Sequence, residues 1–138
     1  MEHYPDRETL TNSSEFQPHY DHRYASYNVD ADQVDQLSTA LKEIEVDIVL
    51  GTWCDDSQVY VPRFLKILDV AAVPPAAVTL ICVDQHKQDP LGKADAFHVE
   101  RVPTFILKKA GHELGRIVES PEGTLEQDLL HILNKQHD

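Results

Sequence analysis

Gly51-Thr52-Trp53-Cys54-Asp55-Asp56-Ser57 is the stretch on which the reading of this chain turns. Before it, Val46 to Leu50 is a short apolar run with β-branched residues. It reads as a buried strand that ends at Gly51. After it, Val61, Phe64, Leu65 and Leu68 recur at helical spacing, so Ser57 to about Asp69 reads as a helix. Pro62 lies inside that helix and should kink it. Cys54 therefore follows a strand and opens a helix. Free backbone N–H groups and the positive end of the helix dipole favour a thiolate at such a position. Asp55 and Asp56, as neighbouring negative charges, oppose it, and both read as caps for the start of that helix. From position alone Cys54 reads equally as a reactive thiol and as a small apolar residue.

Working outward, Val34, Leu37, Leu41 and Ile44 mark an earlier helix that Asp30 or Asp32 can cap. Val78 to Val83 reads as a second buried strand, and Lys93 to His98 as a short helix. Thr104 to Leu107 and Arg116 to Val118 read as two more strands, with Gly111 in a hairpin connection. Thr124 and Gln127 form a capping box for a last helix that buries Leu125, Leu129, Leu130 and Leu133. Alternation followed by a hairpin and a closing helix implies an α/β sandwich with a mixed sheet and helices on both faces. Residues 1–29 differ. They carry Tyr4, Phe16, Tyr20, Tyr24 and Tyr27 but few aliphatics, and read as an irregular arm laid on a domain spanning 30–138.

Trp53-Cys54-x-x-Ser57 resembles the Trp-Cys-x-x-Cys active site of the thioredoxin family. Pro62 falls eight residues after Cys54, where that family carries its helix-kinking proline. Asp84 follows the second strand as in the family's Val/Ile-Asp pattern. Val102-Pro103-Thr104 is similar to the cis-proline loop that faces the active cysteine, and Lys109-Ala110-Gly111 to the turn between the last two strands. The resemblance spans roughly Asp30 to Asn134 and implies a thioredoxin-like three-layer sandwich. It implies Cys54 and Ser57 at the catalytic positions, Trp53, Val102 and Pro103 against the substrate, and Asp55, Asp56 and Pro62 in support.

Three departures bear on activity. Ser57 stands where the resolving cysteine would be and cannot release a mixed disulfide. The family's buried acid would fall at Ile48, because Asp47 is one residue off and points to the other face of the strand. The lysine that accompanies that acid would fall at Leu80. The resemblance thus implies exchange through Cys54 alone, on a protein disulfide or oxidised thiol, with an external reducing thiol completing the cycle. The alternative is a non-catalytic module that holds an extended peptide beside the proline loop.

The rest of the sequence bounds these readings. A chain of 138 residues forms one domain. Its 24 acids against 12 bases, a formal charge of −12, exclude nucleic acid and anionic membrane as main partners. Two cysteines exclude a disulfide scaffold. His19 and His22 read as solvated surface groups, Cys82 as a buried apolar residue, and neither metal nor other cofactor is called for. His98 and Arg101 precede the proline loop and can approach Cys54. With no signal peptide in the chain, a cytoplasmic monomer is expected, unless a leader has been removed.

Overall fold

The computed structural model describes residues 2–135. Two helices come first, α1 (Arg7–Thr11) and α2 (Gln17–Ser26), followed by α3 (Ala31–Ala40). Then come β1 (Ile44–Leu50), α4 (Asp55–Val70), β2 (Val78–Cys82), α5 (Lys93–Ala96), β3 (Thr104–Lys109), β4 (His112–Val118) and α6 (Leu125–Asn134). The strands form one sheet in the order β2-β1-β3-β4. β1 runs parallel to β2 and antiparallel to β3, and β3 and β4 make a hairpin. The sheet is therefore mixed, and the architecture is an α/β sandwich of the expected kind.

Strand periodicity sorts the core into two clusters. Val46, Ile48 and Leu50 of β1 face one side, with Leu80 and Cys82 of β2 and Phe105 and Leu107 of β3. The apolar faces of α3, α4 and α6 cover that side through Leu37, Phe64, Leu65 and Leu129. Val49, Ile81, Val83 and Ile106 face the other side, under Ala94 of α5, Val99 and Val102. Helices thus cover both faces, but unequally, since a four-residue helix serves the second one. α4 is continuous through Pro62 and begins two residues earlier than its apolar spacing suggested. The hairpin closes through Ala110 and Gly111, with φ of 51° and 81°. Two successive left-handed residues match the twist of the flanking strands, which is why glycine suits the second. The Thr124–Gln127 capping box and the Asp30 cap both form.

The irregular arm expected over residues 1–29 is a correction. It contains α1 and α2, and Leu10 and Phe16 are buried in the same core as β1 and α4. Asp6 caps α1 by accepting from the Thr9 N–H. Phe16, Tyr20 and Tyr24 recur four residues apart, so one face of α2 is aromatic, and its rings run in sequence at centroid spacings of 6.3 and 5.1 Å. The hydroxyls anchor that face. Tyr24 donates to Asp69 of α4 at 2.6 Å, and the guanidinium of Arg7 clasps the same carboxylate. Tyr27 donates to the buried Glu126 of α6. Burial and that carboxylate together push the Tyr27 hydroxyl well above the usual tyrosine range. His3 meets the free edge of β2, where its carbonyl accepts from the Cys82 N–H at 2.7 Å. Among the described residues no helix is long and apolar enough to cross a membrane.

If the arm is part of the core, truncating its buried ring is costly. Phe16→Ala should destabilise the protein by about 3–5 kcal/mol in urea unfolding, the range for a fully buried aromatic. A loss under about 0.5 kcal/mol, typical of surface changes, would mean that the arm is only draped on the surface.

Candidate active site

The site forms where β1 ends and α4 begins. Gly51 closes β1, and its carbonyl accepts from the Cys54 N–H at 3.0 Å, turning the chain towards the helix. Cys54 is the N-cap of α4, with extended backbone at φ −88° and ψ 127° and no side-chain capping bond. Asp55 and Asp56 are first-turn residues rather than caps, which corrects the capping role expected of them. Asp55 is exposed and Asp56 half-buried.

The Cys54 thiol is partly exposed and points to the carbonyl of Val102, with Sγ 3.5 Å from that oxygen. The Val102–Pro103 peptide bond is cis, and both residues are buried. The structure thus brings together Cys54, Val102 and Pro103 from segments 48 residues apart. Trp53 joins them from the other side. Its indole N–H donates to the Val83 carbonyl at 3.0 Å, and its ring packs on the cluster that holds Val102. Gly51 makes that position accessible, because a Cβ there would lie 2.6 Å from the indole Cε2.

Ser57 does not face solvent. It is fully buried, and its hydroxyl accepts the Gly51 N–H at 3.2 Å. Its side chain therefore ties the loop to the first turn of α4. Pro62 is buried one turn further along. The arm also reaches the loop, since the Thr52 hydroxyl donates to Glu15 of the segment between α1 and α2. Sequence reasoning did not identify Gly51 and Glu15 as site residues. A signal existed for the first, a glycine next to a bulky aromatic at a strand end; nothing local marks the second.

Other candidates lie elsewhere. Arg101 pairs with Glu119, 3.0 Å distant, and His98 is exposed in the left-handed region; among the described residues neither forms a hydrogen bond with the Cys54 thiol, which points to Val102 instead. Ile48 and Leu80 are paired neighbours in the parallel ladder and face α4. Asp47 points to the opposite face, where Lys108 Nζ lies 2.7 Å from its carboxylate. Cys82 is buried in the larger cluster, across the sheet from the cluster against which Cys54 packs, and both thiols are free. Burial, aided by the charge of Glu2, pushes the Cys82 thiol up to about 12. His19 and His22 stand exposed on α2.

A family model described as Thioredoxin matches residues 4–130. Among solved structures, a protein of unknown function from Pseudomonas aeruginosa is 15% identical, with a TM-score of 0.64 over 97% of this chain and 84% of that one. An HIV epitope-scaffold is 14% identical, with a TM-score of 0.63 over 94% of this chain and 82% of that one. At these identities the likeness shows the fold alone. No curated protein matches the chain.

The two thiols should separate by labelling. In the native protein a thiol reagent should modify Cys54 at least about a hundredfold faster than Cys82, whose exposure is 1% and whose thiolate is scarce at neutral pH. Denaturant should release the second thiol. Faster native labelling of Cys82 would overturn the site assignment.

Proposed function

The chain belongs to the thioredoxin family, and we propose that it is a thiol–disulfide exchange protein that works with one cysteine. The observation that carries this reading is a partly exposed Cys54 thiol held at a helix N-terminus against the Val102 carbonyl. The Cys54 thiolate forms a bond to one sulfur of a protein disulfide or oxidised thiol. The leaving group, the other sulfur of the disulfide or the hydroxide of a sulfenic acid, departs with the electron pair of the broken bond and takes up a proton. An external thiol then attacks the substrate sulfur of the mixed disulfide, the Cys54 thiolate leaves with the electron pair, and a second equivalent of that thiol releases the substrate thiol as the external thiol is oxidised to its own disulfide. Trp53, Val102 and Pro103 flank the place where the substrate sulfur arrives, and backbone edges there suit an extended peptide. Asp55, Asp56 and Pro62 shape the first turns of α4.

Ser57 takes no part in resolution in this reading; its hydroxyl holds Gly51 instead. The apolar pair Ile48 and Leu80 removes the acid and lysine that would assist a dithiol cycle. The same pair favours the second reading, a non-catalytic module that keeps the peptide groove and has lost the chemistry. On the first reading the protein acts in the cytoplasm as a monomer.

Ser57→Cys discriminates between the two. Ser57 lies three residues after Cys54 in the helix start, so the introduced thiol shares a face with it. It could then resolve the adduct intramolecularly at high effective concentration. With an added dithiol and a model protein disulfide, the variant should turn over about tenfold faster than the parent. The gain is modest for an intramolecular step because no buried acid assists deprotonation. Cys54→Ala should be inert. A folded Ser57→Cys protein as inert as Cys54→Ala would favour the binding module.

A further inference from the structure

Thr52 stands two residues before Cys54, in the loop that presents the thiol, and it is buried. Two side chains hold it. Its carbonyl accepts from the amide of Gln58, in the first turn of α4, at 2.9 Å. Its hydroxyl donates to the Glu15 carboxylate at 2.5 Å, a charge-assisted bond. A crevice of about 190 Å³ lies between the arm and this loop, lined by Leu10, Ser13, Glu15, Thr52 and Cys82. At Thr52 the arm therefore meets the loop through a hydrogen bond that spans a gap. The backbone behind Glu15 is anchored, although its side chain is exposed. The next residue, Phe16, is fully buried, and its N–H donates to the Ser13 carbonyl at 3.1 Å. The remaining bonds on the loop come from the domain itself: Ser57 on Gly51, Gln58 on Thr52, Val83 on Trp53 and Val102 on Cys54. Among the described residues Glu15 is the arm's one hydrogen-bond partner for residues 51–54.

We infer that Glu15 is a positioning residue for the Cys54 site, acting through Thr52, so that the docked arm is a working part of that site. This rests on the exchange reading above and adds a control on it. Glu15 touches no reacting atom. By fixing Thr52 it sets where the loop holds Sγ relative to the Val102 carbonyl, beside which a protein disulfide must lie to be attacked. A substrate docked on the proline loop meets a sulfur of fixed position, and small misplacements at such a step slow it strongly. A small disulfide is not held by that loop. It turns freely to reach the thiolate and does not depend on the placement. The two kinds of substrate therefore separate a positioning role from a change in the reactivity of the thiol.

Rates of adduct formation at Cys54 are measured with a model protein disulfide and with 2-hydroxyethyl disulfide, which is small and uncharged. Intact-mass spectrometry follows the adduct, with the site assigned by peptide mapping. Glu15→Ala removes the acceptor, Thr52→Val removes the donor at nearly constant shape, and Glu15→Gln keeps an acceptor oxygen without the charge. Glu15→Ala and Thr52→Val should each slow attack on the protein disulfide about tenfold. The double variant should be no slower than either, as for two ends of one bond. Glu15→Gln should stay within about threefold of the parent, because the weaker neutral bond still forms. With the small disulfide every variant should stay within about twofold of the parent, since that step needs no docked geometry. Tyr24→Phe loosens the arm elsewhere, at Asp69, and should leave both rates within about twofold, as for an independent site. If Thr52→Val does not fold, Glu15→Ala against Glu15→Gln decides, since Glu15 is exposed. Protein-disulfide rates unchanged in Glu15→Ala overturn the positioning role. So do losses that add in the double variant, no rescue by Glu15→Gln, or an equal loss in Tyr24→Phe or with the small disulfide. Each of these leaves the exchange reading standing. A folded parent whose Cys54 forms an adduct with neither disulfide overturns both.

Discussion

Phe64 stacks on Phe105 with ring centroids 4.2 Å apart, and the geometry of the site follows from that contact. Phe64 belongs to α4, whose N-cap is Cys54; Phe105 lies two residues after Pro103 on β3. The stack fixes the helix carrying the thiol against the strand that leaves the proline loop. Both rings are fully buried, so a rotation of α4 would open a void that neighbouring side chains cannot fill. The 3.5 Å approach of Cys54 Sγ to the Val102 carbonyl lies between the two elements that this packing joins. The arm tightens the same arrangement from outside, through Tyr24 and Arg7 on Asp69 and through Glu15 on Thr52.

What surrounds the thiol restricts its chemistry. A helix N-terminus, an adjacent carbonyl and a partly open surface suit a nucleophilic sulfur. In the interior behind it the apolar Ile48 lies beside Leu80 on the face of α4. Asp47 cannot substitute, because strand alternation sends it to the opposite face, where it pairs with Lys108. Ser57 occupies the resolving position as a buried hydrogen-bond acceptor for Gly51. On the proposed reading, the site retains what attack requires and lacks what resolution requires, and an external thiol fits that division.

The sheet, its order of elements and the segments meeting at Cys54 were legible because each rests on a local signal. The first strand run ended at Gly51, Gly111 marked the hairpin, helices showed apolar spacing and caps, and the tryptophan, cysteine and proline motifs stood at compatible distances. The arm was not legible in the same way. Aliphatic periodicity is absent from Gln17 to Ser26, and the apolar stripe is built from Phe16, Tyr20 and Tyr24, which read equally as loose surface aromatics. Its helical state depends on packing against α4, a tertiary contact that local propensity does not contain. Ser57 was read from its missing thiol, whereas its actual bond to Gly51 depends on the loop conformation. The acids at Asp55 and Asp56 were expected to cap α4, but the loop places Cys54 itself at that position.

The central claim is that Cys54 attacks and nothing in this chain resolves. The direct measurement is to mix the reduced protein with a model protein disulfide and follow the mixed disulfide by non-reducing electrophoresis and mass spectrometry. The account predicts that a Cys54-linked adduct accumulates and persists until an external thiol is added, since Ser57 is a hydroxyl and Cys82 is buried across the sheet. No adduct from a folded protein, or an adduct that decays without added thiol, would contradict it.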